Sequence, residues 1–209
     1  MVTNGAPDRQ DGSVTFSLPI EPEANALLER DPLALVIGLT LDQQVPLEKA
    51  FTSPYVLAQR LGHVPTAAEL ADFDLDELIT LFATPPALHR FPKAMAARVQ
   101  QVCRVLVDQY DGDPAVLWTD TPNGDELLRR ILSLPGFGTQ KAQIFVAMLG
   151  KQCGVRPPGW REAAGAYGEE GSYRSVADIS DGESLAKVRA HKKQMKADAR
   201  AVKEGGDPY

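Results

Sequence analysis

Cysteine is scarce in this chain, and that scarcity excludes several kinds of site. The 209 residues contain two cysteines, Cys103 and Cys153, which lie far apart in the sequence. Structural zinc sites and iron–sulfur clusters use several closely spaced thiolates. We therefore expect no iron–sulfur cluster, no metal site and no cofactor.

Long apolar runs are also missing. No stretch of about 18 apolar residues, enough to cross a membrane as a helix, occurs in the sequence. Residues 1–22 are polar and lack the apolar core of a signal peptide. We expect a protein of the reducing cytoplasm without membrane contact, with residues 1–22 as a loose N-terminal arm in which "SVTFSL" forms one strand or none.

The charge of the chain is negative but unevenly distributed. The net charge is −6 at pH 7, which argues against a protein dominated by contacts to nucleic acid. Residues 187–203, however, hold seven Lys or Arg and one acid, a charge of +6, so the remainder carries −12. Lys192, Lys193 and Lys196 in this segment either attract DNA or form an ordinary solvated face.

Apolar residues recur at helical spacing along most of the chain, which predicts an all-α fold. We predict helices over residues 23–30, 31–44, 46–62, 66–73, 74–83, 91–110 and 124–134, a further helix starting near Thr139, and a short one at 159–168. The predicted domain spans 23–203 and contains a hairpin at 125–150, a loop-rich part at 151–180 and a basic terminal helix at 181–203, followed by a tail at 204–209.

The stretch "LSLPGFGTQKAQIFVAMLG", residues 132–150, places Pro-Gly-Phe-Gly between two helical segments. Gly136 and Gly138 have no Cβ, so the backbone can take a positive φ and approach a ligand closely. The first N–H groups of the second helix have no intrahelical partners and suit a phosphate oxygen. Taken alone, the four residues are equally compatible with an ordinary tight turn between packed helices.

Three motifs together resemble the helix–hairpin–helix DNA glycosylase superfamily. Leu-Pro-Gly-Phe-Gly matches its hairpin, "LTLDQQVPLEKA" (39–50) is similar to its second conserved helix, and "HRFPKAMAARVQQVCRVL" (89–106) is similar to the long helix before the hairpin. The resemblance covers roughly residues 30–155. It implies two all-α subdomains with a DNA cleft between them, and damaged duplex DNA as the partner of a monomer.

The resemblance also assigns chemistry to single positions. Members that cleave the DNA backbone carry a lysine where this chain has Gln140, so we expect no Schiff-base nucleophile. Lys141 lies about 100° further around the helix and either contacts phosphate or is an ordinary solvated lysine. The family's aspartate would fall in "VRPPGW", which has no acid. Glu162 is the nearest carboxylate, as a replacement catalyst or as an exposed first-turn residue; Asp42 is another acid for such a cleft.

The remaining candidates are polar, basic or aromatic. Gln43 and Gln44 lie where the family faces an extruded base, or else on the polar side of a buried helix. Trp160 and Tyr167 are candidates for stacking on that base or for simple packing. The residues predicted to bind DNA are Gly136, Phe137, Gly138, Thr139, Gln140, Lys141, Gln43, Gln44, His89, Arg90 and Lys93.

Two functions from different classes follow. The first is a monofunctional DNA glycosylase, which hydrolyses the N-glycosidic bond of a damaged base without a cofactor. The second is a binding module of the same fold that recognises DNA or a lesion without cleaving it. The position of a carboxylate in the cleft distinguishes them.

Overall fold

A computed structural model describes residues 18–204, and this part of the chain is helical without a β-strand. Its α-helices are α1 Pro22–Arg30, α2 Pro32–Leu41, α3 Leu47–Leu61, α4 Ala67–Asp72, α5 Leu75–Ala83, α6 Pro92–Tyr110, α7 Gly124–Leu132, α8 Thr139–Gln152, α9 Trp160–Ala164 and α10 Gly182–Glu204. Short 3₁₀ helices span Pro114–Leu117, Gly165–Gly168 and Val176–Asp178. The all-α prediction is confirmed for the described residues.

Local sequence accounts for several helix starts. The side chains of Asp31, Thr66, Asp74 and Asn123 each accept a hydrogen bond from a backbone N–H in the first turn of the helix that follows. Such caps satisfy donors that the helix itself leaves free. These residues therefore fix where α2, α4, α5 and α7 begin.

The end of α2 differs from the prediction. A helix was expected over residues 31–44, but α2 ends at Leu41 and the next three residues lie in a loop. The N–H of Asp42 turns back to the carbonyl of Leu39, and Gln44 has a φ of +55°, a left-handed conformation that cannot continue a right-handed helix. The break carries Gln43 and Gln44 out of the helix.

The helices pack in two groups. Helices α1 to α6 contact one another, with α6 lying along α4 and α5, whereas α8 packs on α7, α9 and the last two 3₁₀ helices. The buried apolar side chains nevertheless form one contiguous cluster that takes residues from both groups. The expected division into two subdomains is therefore not marked by a break in the core.

The N-terminal boundary is only partly described. Most of the predicted arm, including all of "SVTFSL" except its last residue, lies outside the described residues, as do residues 205–209 of the predicted tail. Leu18 is buried, and it exchanges two hydrogen bonds with the side chain of Asn25. The chain is thus attached to α1 from Leu18 onward.

Within residues 18–204, no helix combines the length and the apolar character that crossing a bilayer requires.

Candidate nucleic-acid interface

A cleft of about 630 Å³ lies where the end of α2, the start of α8 and the side of α10 meet. This volume is in the range of sites that hold small organic ligands. Five of the predicted site residues line it, together with residues that were not predicted. The lining residues are Leu39, Asp42, Gln43, Gln44, Val45, Gln140, Lys141, Ile144, Ala166, Tyr167, Arg174, His191, Lys192, Met195 and Lys196.

The loop after α2 is held in place by Gln43. Its side-chain Nε2 donates to the carbonyl of Thr40 at 3.1 Å and contacts the sulfur of Met95 on α6 at 3.1 Å. Its backbone carbonyl accepts a hydrogen bond from His89 at 2.9 Å. The amide of Gln43 is thus largely committed to the protein, and its role is to shape the cleft wall.

His89, one of the residues predicted to bind DNA, is buried in the protein. The ring is 1% exposed. Its Nδ1 accepts the N–H of Phe91 at 3.1 Å while Nε2 donates to Gln43, which fits one neutral tautomer. Burial also lowers the pKa of His89. The expectation that His89 contacts phosphate is therefore wrong, because the ring is buried and links the start of α6 to the loop after α2.

Gln44 is presented to the cleft by an unusual backbone. It is exposed and lines the cleft, and its φ of +55° is in the region that side chains with a Cβ seldom adopt. Such a conformation costs on the order of 1 kcal/mol and often occurs at ligand sites. The structure thus holds this amide out from the loop rather than on a helix face.

Asp42 supplies the carboxylate of the cleft. Burial raises its pKa, while the positive charges of Lys192 and Lys141 act in the opposite direction and favour the ionised form. The carboxyl group is therefore partly desolvated, with Lys192 and Lys141 near enough to favour its ionised form. The sequence named Asp42 as an alternative to Glu162 without showing that it reaches the cleft.

Lys141 follows neither of the expected alternatives. Its Nζ donates to the carbonyls of Leu39 and Thr40 at 3.0 and 3.1 Å, across more than 100 residues of sequence. The ammonium so caps the C-terminal end of α2, where a positive charge is favourable. Burial lowers the pKa of Lys141. The residue fastens α8 to α2 and is neither a free surface lysine nor a free nucleophile.

The turn between α7 and α8 leaves backbone donors available. Gly136 has the expected positive φ of +84°, whereas Gly138 is extended at φ −75° and serves as the N-cap of α8 without a capping side chain. A Cβ on Gly138 would meet nothing within 4 Å. Of the two glycines, Gly136 adopts the positive φ that glycine allows and Gly138 does not, but the open approach to the first N–H groups of α8, from Thr139 onward, is present.

Phe137, in the middle of this turn, faces inward. Its side chain is 5% exposed and packs near Phe145, and its N–H donates to the carbonyl of Leu134. Lys141 lies 5.4 Å from the centre of its ring. The prediction that Phe137 binds DNA is wrong for both its side chain and its N–H, because the protein itself uses them.

Gln140 and Tyr167 form one polar pair in the cleft. The Nε2 of Gln140 donates to the Tyr167 hydroxyl at 2.9 Å, and both residues line the cavity. The phenol then retains its own hydrogen for a ligand, and Gln140 retains its carbonyl oxygen. The Gln140–Tyr167 pair therefore offers a ligand one neutral donor and one neutral acceptor. A lysine at position 140 would offer an amine instead.

Trp160 is a packing residue. It is 7% exposed, and a Cβ on Gly150 would lie 2.3 Å from its six-membered ring, so the indole covers the end of α8 directly. The guanidinium of Arg161 lies 4.7 Å from the ring centre. Trp160 does not line the cleft and borders a separate cavity of about 330 Å³, so it does not share a pocket with Tyr167.

Glu162 is exposed in the first turn of α9 and does not line the cleft either. The structure agrees with the alternative of a first-turn carboxylate at the positive end of a short helix. Of the two acids that the sequence analysis considered, Asp42 lines the cleft and Glu162 does not.

Arg90 and Lys93 are exposed, as contact with phosphate would require, but they do not line the cleft. Sequence reasoning missed Arg174, His191 and Ile144, which do line it. Arg174 and His191 come from the loop-rich part and the terminal helix, where no motif marks them. The residues next to Arg174 and His191 in the sequence do not indicate that these side chains reach the cleft.

The thiols take no part in the cleft. Cys103 and Cys153 are free, and burial raises the pKa of each to about 12, so both stay protonated at neutral pH. Across residues 18–204, no group of three or more His, Cys, Asp or Glu side chains is placed to hold a metal ion.

In comparisons with known proteins, no family model matches the chain and no significant match to a curated protein was found.

Proposed function

We propose that this protein binds damaged DNA in base excision repair and acts as a monofunctional DNA glycosylase. The observation that carries the proposal is the convergence in one cleft of residues from two motifs 100 positions apart. Asp42, Gln43 and Gln44 follow α2, and Gln140 and Lys141 open α8. The resemblance to the glycosylase superfamily independently assigns four of these five residues, all but Asp42, to DNA binding.

Asp42 is the proposed catalytic carboxylate. Hydrolysis breaks the bond between C1′ and the base nitrogen and forms a bond from C1′ to a water oxygen, while the departing base gains a proton. Positive charge grows on the sugar as the base leaves, and a carboxylate in a partly dehydrated cleft offsets it. The same carboxylate can accept the proton of the attacking water.

Gln140 and Lys141 support the assignment of a glycosylase without lyase activity. A Schiff base with the sugar requires an unprotonated amine that can approach C1′. Gln140 has no amine, and the Nζ of Lys141 is engaged by two carbonyls at the end of α2. We therefore expect that borohydride traps no covalent complex with DNA.

Gln44 is the proposed residue for the gap that an extruded base leaves in the duplex. A polar side chain at this position can occupy the vacated space or bond to the orphaned partner base. The left-handed backbone of Gln44 costs free energy that the fold would avoid with glycine at the same place. The retained side chain is the feature that supports a function for this residue.

The alternative function is a binding module without catalysis. One observation favours it: the segment "VRPPGW", where the family places its aspartate, brings no carboxylate to the cleft. In that case Asp42 would shape the charge of the cleft and nothing more.

Incubation with a panel of duplexes, each with one damaged base, tests the proposal. For a glycosylase, we expect strand breaks at one class of lesion after alkali, which cleaves at abasic sites, and none before alkali. Lesion-specific binding without alkali-labile sites would assign the protein to the binding module. Equal affinity for damaged and undamaged duplexes, with no base release, would reject both functions.

A further inference from the structure

The terminal helix α10 forms one wall of the cleft, although the motifs of the sequence end well before it. Its first half is anchored: Val188 and Ser184 are buried, and Arg189 forms an ion pair with Glu48 of α3 at 2.6 Å. The ammonium of Lys187 lies 4.8 Å from the ring centre of Tyr173. These contacts fix the direction of α10 across the mouth of the cleft.

Beyond Arg189, α10 presents cations on one side. Lys192, Lys196 and Arg200 are exposed and follow one another at intervals of four residues. At about 100° and 1.5 Å per residue, they form a strip about 12 Å long within an arc of about 80°. Lys192 and Lys196 also line the cleft, so the strip begins inside it.

The two acids of α10 whose side chains the structure describes, Glu183 and Asp198, do not pair with the strip. Glu183 pairs with Lys187 in the first half of α10. Asp198 bonds to Gln194 at 2.8 Å and lies roughly 120° around the helix from Lys192. Lys192 also acts on the Asp42 carboxyl group in the cleft, whereas neither of these two acids pairs with Lys196 or Arg200.

We propose that Lys192, Lys196 and Arg200 of α10 contact the phosphate backbone of nucleic acid on the side of the cleft opposite the first turn of α8. A strand that delivers a base to the cleft would then be held between the N–H groups after Gly138 and this strip. Phosphate contacts of this kind set position and affinity and carry no sequence information. The inference rests on the proposed function for the identity of the ligand.

A membrane surface is the other polyanion that a basic helix could meet. Helices that lie in a bilayer interface carry a broad apolar face opposite their charges. Among the described side chains after Arg189, Met195 is the large apolar residue exposed on α10, at 53%. A single methionine does not make such a face, so the strip fits a phosphate backbone better than a bilayer.

The test is a salt series of fluorescence-anisotropy titrations with a labelled duplex. The plot of log affinity against log salt has a negative slope, and each lost phosphate contact reduces the magnitude of that slope by about 0.9. We expect the double variant Lys192→Gln/Lys196→Gln to reduce the magnitude of the slope by about 2 and each single variant to reduce it by about 1. The reduction should be the same on damaged and undamaged duplexes. Arg30→Gln is the matched control, since Arg30 is exposed at the opposite end of α2 from the cleft. It should leave the slope unchanged.

The outcomes separate this inference from the proposed function. An unchanged slope in the double variant, with lesion-dependent base release retained, overturns the role of α10 and leaves the glycosylase intact. A lowered slope in a protein that releases no base supports the strip and rejects catalysis. Binding of the unaltered protein to anionic vesicles but not to DNA, lost in the double variant, overturns the inference in favour of a lipid surface.

Discussion

The two ends of α8 illustrate how one helix can serve a site and a core. At its N-terminal end, Gly138 has open space around it, and Gln140 and Lys141 line a cleft. At its C-terminal end, Gly150 lies under the ring of Trp160. The first end is therefore open at Gly138, and the second, here called the closed end, is covered at Gly150 by the indole.

The polar side chains at the closed end bond mainly to the protein itself. Lys151 and Asp178 form an ion pair at 2.5 Å, with side chains that are 14% and 5% exposed. The Nε2 of Gln152 donates to three carbonyls, those of Val176, Ala177 and Ile179. The Oε1 of Gln152 is left without a partner among the described residues, and a cavity of about 330 Å³ borders Lys151, Gln152 and Trp160. The donors of Lys151 and Gln152 are nonetheless bonded within the protein, whereas the first N–H groups of α8 have no intrahelical partner.

The largest effect is expected on the rate of base release, for a substitution of Asp42 beside the open end of α8. Asp42→Asn should lower single-turnover base release by on the order of 100-fold, about 3 kcal/mol in the barrier, with DNA affinity nearly unchanged. Glu162→Gln, near the closed end, should retain full activity. Base release from a lesion-containing duplex measures both variants. A loss of activity in Glu162→Gln with full activity in Asp42→Asn would contradict the assignment of the open end to catalysis.

Stability should respond at the closed end. Gly150→Ala places a Cβ 2.3 Å from the ring of Trp160, and overpacking of this kind costs about 1 to 3 kcal/mol. Gly138→Ser meets no atom within 4 Å and supplies a favourable N-cap, so it should cost nothing. Urea unfolding of both variants tests the pair; equal losses would mean that the two ends are packed alike.

DNA affinity should respond at the open end. Gly138→Asp offers α8 a capping carboxylate, which occupies the free N–H groups and repels phosphate. We expect DNA binding to weaken by about 1 to 3 kcal/mol while the free energy of unfolding stays the same or rises. Anisotropy titration and urea unfolding of the same preparation measure the two quantities. Unchanged affinity would remove the turn from the interface.

A smaller effect is expected at Gln44. Gln44→Gly relieves a positive φ and should raise the free energy of unfolding by about 0.5 to 1 kcal/mol. Base release should fall, since the side chain proposed to fill the duplex is gone. Gln44→Ala, which keeps the strain, is the control for the change in stability. Unchanged base release in both variants would leave the cleft without a role for this amide.

The smallest effect concerns the dependence of stability on pH. Because burial raises the pKa of Asp42 in the folded state, ionising it costs free energy of folding as pH rises through that pKa. Asp42→Asn removes this cost, so the stability of the variant relative to the wild type should be greatest near neutral pH and decline in acid. Urea unfolding at several pH values measures the difference. A constant difference would indicate a carboxylate with an unshifted pKa.

Much of the secondary structure could be predicted because its signals are local. Asp31 before Pro32 marks the start of α2, and the two glycines around Phe137 mark the turn before Thr139, where α8 begins as expected. The left-handed Gln44, which ends α2 early, has no such local signal. The side chain of a glutamine does not reveal that the loop around it forces a positive φ.

The sequence by itself determined the all-helical class, the turn before α8 and the absence of a lysine at position 140. Only the tertiary structure decided that Asp42 rather than Glu162 lies in the cleft, that His89 is a neutral buried strut, that Lys141 caps α2, and that α10 closes one wall. Helix propensity and turn chemistry act over a few neighbouring residues. The exposure and desolvation of a side chain depend on segments that lie about 100 positions apart in the sequence and meet in the fold. Exposure and desolvation decide whether a carboxylate, an imidazole or an amine can contact a ligand.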